Sequence, residues 1–323
     1  MDLSIITVTY NSVRYLPTLL ESLKVNFASL SKSGYEYEVL LVDNGSMDGS
    51  CELAASILPE IRLIRNTQNT GFAEANNQGI LQSKGRYVLL LNPDARLMEE
   101  NLAGAIKFMD RPENRSVGMM GCKILNPDGS MQPSCYYKPT ILTECASAVG
   151  LAHFVHIPRW TTNEIPPSGF YNQVQEIDSV LGAYLFFRRE VINLVGLMDS
   201  STFFFYGEEL DWGIRAREAG WCVVYTPHIS MIHYGRQRIG DRMACNGIQL
   251  YKSKFKLISK HYGPGYTLLL RLVTELGLIL RVVFIMLFSV LPSKRRQLQN
   301  DCNCLISLLR WNTRTLLQPA AVL

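Results

Sequence analysis

Residues 39–49, VLLVDNGSMDG, join four consecutive apolar residues to an acidic, glycine-containing turn. A short run of Val and Leu without alternation reads as a strand buried on both faces, as in a parallel sheet covered by helices. The DNG that follows is turn chemistry, because Asp and Asn bond back to the local backbone and Gly accepts positive φ. The unit recurs: residues 3–8, 62–64 and 87–91 are further apolar runs, with Thr9-Tyr10-Asn11 after the first and Asn92-Pro93-Asp94 after the last. Between them lie segments of helical period. Tyr15, Leu16, Leu19, Leu20 and Leu23 share one helical face, and residues 98–109 form a second amphipathic stretch. Strands alternating with helices predict an α/β domain with a mostly parallel sheet, whose ligands bind beyond the carboxyl ends of the strands.

Downstream, an apolar segment over 117–132 contains the turn Asn126-Pro127-Asp128-Gly129 between two short strands. Residues 135–176 are irregular and rich in aromatics and prolines. Residues 180–187 predict one strand, followed by a short helix and a final strand pair ending at His233. Before that pair lies 203–217, FFFYGEELDWGIRAR, with carboxylates at Glu208, Glu209 and Asp211 behind an aromatic run and a glycine. Clustered carboxylates near apolar surface have their pKa values pushed apart, which supplies a general base. The structural alternative is an acidic helix start with Asp211 paired to Arg215 one turn on.

The strand ends carry their own chemistry. Asp43 can accept a hydrogen bond from the imide N–H of a uracil or thymine, and Tyr10 can stack on that ring. Asp94 offers oxygen to a Mg²⁺ or Mn²⁺ ion neutralising a diphosphate, and His233 offers nitrogen. A histidine closing a strand also serves as a satisfied structural residue. Gly71 with Asn69, Asn76 and Asn77 reads equally as helix capping or as groups near a diphosphate.

Together these motifs resemble the family 2 glycosyltransferases, inverting enzymes of the GT-A fold. The resemblance rests on Thr9-Tyr10-Asn11, the segment 42–49, and Asn69-Thr70-Gly71-Phe72-Ala73 through Asn77 and Gly79. It continues in Leu91-Asn92-Pro93-Asp94, Gly182-Ala183-Tyr184, Gly207-Glu208-Glu209-Leu210-Asp211 and Ile232-His233-Tyr234-Gly235. The order is the family's, over about residues 1–235, and the bacterial rhamnosyltransferases of O-antigen and cell-surface glycan assembly look most similar. The resemblance implies that Asp43 reads the base, with Thr9 and Tyr10 around the nucleoside and Asn69, Gly71, Asn77 and Asn92 on the donor side. It implies Asp94 and His233 as ligands of Mg²⁺ or Mn²⁺, Glu209 as catalytic base, and Glu208, Asp211, Trp212, Gly182 and Ala183 on the acceptor side or in support. Two departures stand out. The family's usual Glu-Asp pair is here Glu208-Glu209, one methylene longer at the base, and the metal motif is Asn92-Pro93-Asp94 where two aspartates commonly flank one residue.

With 323 residues, 47% apolar and 19% charged, the chain is globular with ample core. Residues 1–240 carry 20 Lys/Arg against 25 Asp/Glu, whereas 241–323 carry 12 against 3, a net of +9. A GT-A catalytic domain is thus expected over 1–240, with a nucleotide-binding half at 1–97 and an acceptor half at 98–240. A helical, basic extension is expected over 241–323. Within it, residues 268–291 are apolar but for Arg271, Thr274, Glu275 and Arg281, which share a third of the helix circumference. The apolar run 282–291 is too short to span a bilayer. An amphipathic helix on the inner membrane surface is expected through 250–296, with Lys252, Lys254, Lys256, Lys260 and Lys294-Arg295-Arg296 meeting anionic headgroups. The alternative is a helical pair packed on the catalytic domain or on a second subunit in a homodimer. Aromatic residues are not interleaved with the basic ones in any known nucleic-acid motif, which argues against nucleic acid. The N-terminus MDLSIITVTYNS lacks a basic n-region, and eight scattered cysteines form neither a zinc spacing nor a disulfide framework. Both point to a cytoplasmic protein on the membrane face.

The expected activity is inverting transfer of a sugar from a nucleotide diphosphate donor to a saccharide, with dTDP-L-rhamnose and a lipid-linked acceptor implied by the resemblance. The rival classes are a nucleotidyltransferase, which needs a glycine-rich basic phosphate loop that residues 7–14 do not provide, and a non-catalytic glycan-binding protein of the same fold.

Overall fold

The computed structural model describes residues 1–148, 168–235, 243–288 and 295–317. The first half alternates as its apolar runs predict. β1 (Leu3–Thr9), α1 (Leu16–Lys32), β2 (Tyr37–Asp43), α2 (Ser50–Ile57), β3 (Arg62–Arg65), α3 (Phe72–Gln82) and β4 (Tyr87–Leu91) follow in order. Then come β5 (Ala95–Leu97), α4 (Asn101–Asp110), β6 (Val117–Leu125), β7 (Met131–Gln132), β8 (Cys135–Tyr136), α5 (Ile141–Ala148), β9 (Gln175–Glu176), β10 (Ser179–Val180) and β11 (Tyr184–Arg188). The chain continues through α6 (Arg189–Val195), α7 (Glu208–Glu218), β12 (Cys222–His233), α8 (Met243–Tyr262), α9 (Pro264–Phe288) and α10 (Arg295–Leu317).

The main sheet runs β3-β2-β1-β4-β11-β6-β12-β5, with β7 beside β6 and β9 beside β12. β1 pairs in parallel with both β2 and β4, so the strand order reverses at β1/β4. Beyond β4 the sheet turns mixed: β11 runs antiparallel to β4 and β6, and β12 parallel to β6. The strands are buried on both faces. Leu3 and Ile5 pack with Leu16, Leu19, Leu20 and Leu23 of α1 in one apolar layer, while Ile6, Leu40 and Val42 pack with Ala73, Ala75 and Ile80 of α3 in the other. Each fully buried leucine contributes about 2 kcal/mol relative to exposure.

Three expectations change. The strand expected over 180–187 is interrupted: β10 leaves to pair with β8, and the chain rejoins the main sheet only at Tyr184. Gly182 and Ala183 lie in that break because the site uses them. The expected final strand pair is one long strand, β12, whose register on β6 shifts between Thr226 and Ser230. The third change concerns Lys254 of α8.

The chain divides into two compact units, 1–138 with 165–237, and 139–164 with 238–323. In the second unit, α5 goes with the C-terminal helices. Buried Glu144 accepts from Lys254 Nζ at 3.0 Å, and Tyr262 donates to the Pro139 carbonyl at 2.7 Å. Lys254 is therefore committed to a carboxylate inside the unit, not to headgroups. The polar residues of α9 also point inward. Asn312 donates to Glu275 Oε2 at 2.7 Å and to the Arg271 carbonyl at 3.1 Å, Thr313 donates to Glu275 Oε1, and Arg271 Nη1 donates to Thr315 at 2.9 Å. The Arg271/Thr274/Glu275 face is thus the contact with α10, because polar groups leaving water need partners and α10 supplies them. Lys294 and the side chains of Arg295 and Arg296 lie outside the described residues. Among the described residues, no helix is long and apolar enough to cross a membrane.

Candidate active site

The crossing from β1 to β4 is the topological switch point, where open α/β sheets bind ligands. Thr9 and Asp43 are register partners at the ends of β1 and β2, both buried. Asp43 Oδ1 accepts from the Ser46 backbone at 3.2 Å, and the Thr9 hydroxyl is buried without a hydrogen-bond partner among the described residues. Such a group calls for a ligand or solvent partner. Tyr10 is exposed beside them. Its loop is fixed from both sides: Asn11 N donates to Ser46 Oγ and Met47 N to Asn11 Oδ1, each at 2.9 Å, while Asp48 accepts from Val13 N at 3.0 Å.

Asn44 organises the neighbouring loop. Its Nδ2 donates to Asn69 Oδ1 and the Gly71 carbonyl, and its Oδ1 accepts from Asn66, Thr70 N and Thr70 Oγ1, all within 2.9–3.2 Å. Gly71 has φ +91°, and a Cβ there would lie 2.6 Å from the Phe204 carbonyl. Phe72 N donates to that same carbonyl at 2.9 Å, stitching the segment before Glu208 onto the start of α3.

Asp94 and His233 come together because β5 pairs antiparallel with β12, opposing Ala95 to His233. Asp94 Oδ1 lies 3.2 Å from His233 Nε2, not aligned as a hydrogen bond, and Gln132 Oε1 sits 3.1 Å from Nδ1. Gln132 thus orients the imidazole through Nδ1, and Nε2 faces Asp94 with Asn92 Nδ2 3.5 Å away. Gly235 borders both groups: a Cβ there would come 2.9 Å from Asp94 Oδ2 and His233 Nε2. An orphaned carboxylate oxygen, an oriented imidazole and a cradle kept clear by glycine fit a divalent cation that takes its remaining ligands from diphosphate. No group of three or more protein ligands occurs among the described residues.

Glu208 and Glu209 open α7 behind Gly207. Glu209 Oε1 accepts from Gly182 N at 3.1 Å, and a Cβ at residue 182 would collide with that oxygen. The next residue, Ala183, accepts from Asn92 N at 3.1 Å. One dipeptide therefore holds the acidic pair on one side and the end of β4, two residues before Asp94, on the other. Burial pushes Glu209 above the usual carboxylate range, against the pull of its own and the Gly182 backbone N–H. A helix start favours the ionised form of a carboxylate, but desolvation outweighs it here. Glu208 is raised further, first by burial and then by the charge of Glu209. It is 1% exposed and its Oε2 has no hydrogen-bond partner among the described residues. Burial and the neighbouring charge thus favour the neutral form of Glu208 more than that of Glu209.

Comparison with known proteins agrees with this geometry. Residues 4–139 match the family described as Glycosyl transferase family 2. Along 314 residues the chain is 27% identical to the N-acetylglucosaminyl-diphospho-decaprenol L-rhamnosyltransferase of Mycobacterium tuberculosis, covering 92% of this chain and 97% of that one. These matches support a rhamnosyltransferase-like glycosyltransferase of family 2. Its fold is shared with the mannosyltransferase PcManGT of Pyrobaculum calidifontis, in complex with GDP-Man and Mn²⁺, at a TM-score of 0.58 and 15% identity over 98% of this chain and 87% of that one. It is shared also with S. aureus TarS in complex with UDP-GlcNAc, at a TM-score of 0.51 and 16% identity over 96% and 82%. Both are GT-A folds, so the α/β sheet described above is that fold.

Several expected site residues have structural tasks. Asn77 Nδ2 donates to the Met198 carbonyl and its Oδ1 accepts from Met198 N, which occupies the amide. Asn69 Oδ1 is taken by Asn44 and by Gly71 N. Asp211 and Trp212 are fully buried and do not face an acceptor. Asp211 pairs with Arg215 at 2.9 Å, the structural alternative read from the sequence, and Trp212 Nε1 donates to the Gly196 carbonyl while its ring meets Phe187 edge-on. Gln132 and Asn44 were not singled out from the sequence. A Gln on a two-residue strand and an Asn in a turn carry no local signal, because their partners lie 101 and 22–27 residues away.

Proposed function

We propose that the chain is an inverting rhamnosyltransferase, transferring L-rhamnose from dTDP-rhamnose to a lipid-linked saccharide at the cytoplasmic face of the membrane. The observation that carries the reading is the Gly182-Ala183 bridge, which links Glu209 to the end of β4, two residues before Asp94 at the switch point. Glu209 takes the proton of an acceptor hydroxyl as that oxygen attacks the anomeric carbon. The new C–O bond forms on the face opposite the nucleoside diphosphate, the old C–O bond breaks, and its electron pair leaves with the diphosphate. One in-line displacement inverts the centre without a covalent enzyme intermediate. A raised pKa brings Glu209 nearer the operating pH, where a base combines ionisation with driving force. A divalent cation held by Asp94 and His233 would stabilise the charge developing on the leaving diphosphate. Thr9, Tyr10 and Asp43 hold the nucleoside, Tyr10 by stacking and Asp43 by accepting the imide N–H of thymine.

The donor and acceptor follow the relative that this chain matches over most of its length. A thermal-shift screen of dTDP-, UDP- and GDP-sugars with and without Mn²⁺ tests it, since a ligand of the native state raises apparent stability as ln(1 + [L]/Kd). dTDP-rhamnose with Mn²⁺ is expected to give the largest shift. A larger shift with a UDP- or GDP-sugar would overturn the donor assignment.

A further inference from the structure

α9 is amphipathic with its sides reversed. Its polar residues are turned into the unit, onto α10, and its outer face is aliphatic. Leu268, Leu269, Leu272, Leu276, Ile279, Leu280 and Val283 recur at helical spacing and are each between 43% and 54% exposed, with Tyr266 at 49% ahead of them. Side chains three and four apart stack along one side of a helix, so these seven form one continuous stripe. A run of exposed aliphatic residues this long is unusual on a soluble surface and marks an interaction site.

We propose that this stripe is the membrane-binding surface of the chain: α9 lies in the plane of an anionic bilayer with these side chains among the acyl chains. Three features select lipid over a second protein copy. The stripe contains only Leu, Ile and Val, whereas protein interfaces are enriched in aromatics, Met and Arg. A tyrosine stands at its N-terminal end, the residue type that sits at headgroup level with its ring in the apolar zone and its hydroxyl in water. The third is charge. Residues 241–323 carry a net +9, and on α8 Lys252, Lys256 and Lys260 recur every four residues and are exposed, complementary to anionic headgroups. The inward polar face keeps the helix at the interface, because Arg271 and Glu275 are held by α10 and cannot enter the acyl region.

The assignment deepens the reading of a lipid-linked acceptor, since a chain seated this way meets its substrate in the plane where that substrate lies. Its test does not depend on turnover. The full-length protein is floated with vesicles of phosphatidylcholine alone and of phosphatidylcholine mixed with phosphatidylglycerol. The wild type is expected to float with the mixed vesicles and only weakly with the neutral ones. Leu272→Gln/Leu276→Gln/Ile279→Gln, at exposed positions that tolerate a good helix former, is expected to lower the partition coefficient by about tenfold or more while circular dichroism and nucleotide-sugar binding stay unchanged. Flotation of this variant equal to wild type overturns the proposal. So does a wild-type dimer by light scattering that the same variant converts to monomer, because the stripe then belongs to a second copy. Flotation as predicted without transfer of any sugar leaves the proposal standing and removes the reading of the enzyme's function.

Discussion

Glu208 and Glu209 are neighbours in sequence with different fates. Both are carboxyls at the start of one helix with backbone donors nearby, Gly182 for Glu209 and Tyr206 for Glu208, yet Glu208 is enclosed with one oxygen unpartnered. Folding raises the pKa of Glu208 through burial and through the charge of Glu209. A carboxyl raised in this way gives its full stabilising share below its unfolded pKa and loses it as pH rises through the folded one. Glu208→Gln fixes the neutral form. The thermal midpoint of this variant should match wild type in mild acid and exceed it increasingly toward alkaline pH, by about 1.4 kcal/mol for each unit the pKa is raised. A difference that stays flat across pH would mean that Glu208 is ionised in the fold. The acidic pair was legible in the sequence, but its division of labour was not. That division depends on Gly182, which lies 27 residues upstream and approaches only because β10 departs to another sheet.

At the scale of elements, pairing decides what becomes a site. β5 opposes β12 and so brings Asp94 to His233, and the β6–β7 hairpin brings Gln132 to the far nitrogen of that imidazole. Gln132→Leu removes the group that orients the imidazole. Mn²⁺ affinity measured calorimetrically with the nucleoside diphosphate present should fall about 10- to 100-fold. An unchanged affinity would show that His233 needs no such orientation. Helical period was read correctly for α9, but period alone does not say which face looks inward. α9 turns its polar face inward because α10 offers Asn312, Thr313 and Thr315 to it. Asn312→Ala withdraws donors from Glu275 and from the Arg271 carbonyl, and chemical denaturation should report a loss of about 1–3 kcal/mol. No loss would place the polar face in solvent and reverse the orientation of the helix.

Across the whole molecule, the alternation of buried strands and amphipathic helices made the first half readable, because a doubly covered parallel sheet leaves continuous apolar runs in the sequence. The mixed half was less so. β8, β9 and β10 are two residues each, too short for any period, and Cys222–His233 changes register midway. The strand-end residues Thr9, Asp43 and Asp94 stand out in the sequence because each follows such a run, whereas nothing local shows that Asp211 and Trp212, two and three residues past Glu209, are fully buried on Arg215 and Gly196. What unites the proposed site is a switch-point edge that offers Thr9, Tyr10 and Asp43 to a nucleoside, Asp94 and His233 to a cation, and Glu209 as base. The most direct test is transfer from radiolabelled dTDP-rhamnose to a polyprenyl-diphosphate-linked saccharide by wild type and by Glu209→Gln, with the anomer of the product read by NMR. The account predicts inverted product from wild type and a rate lower by roughly 10²- to 10⁴-fold in the variant, with donor binding retained. Retained stereochemistry, or a Glu209→Gln enzyme as fast as wild type, would contradict it.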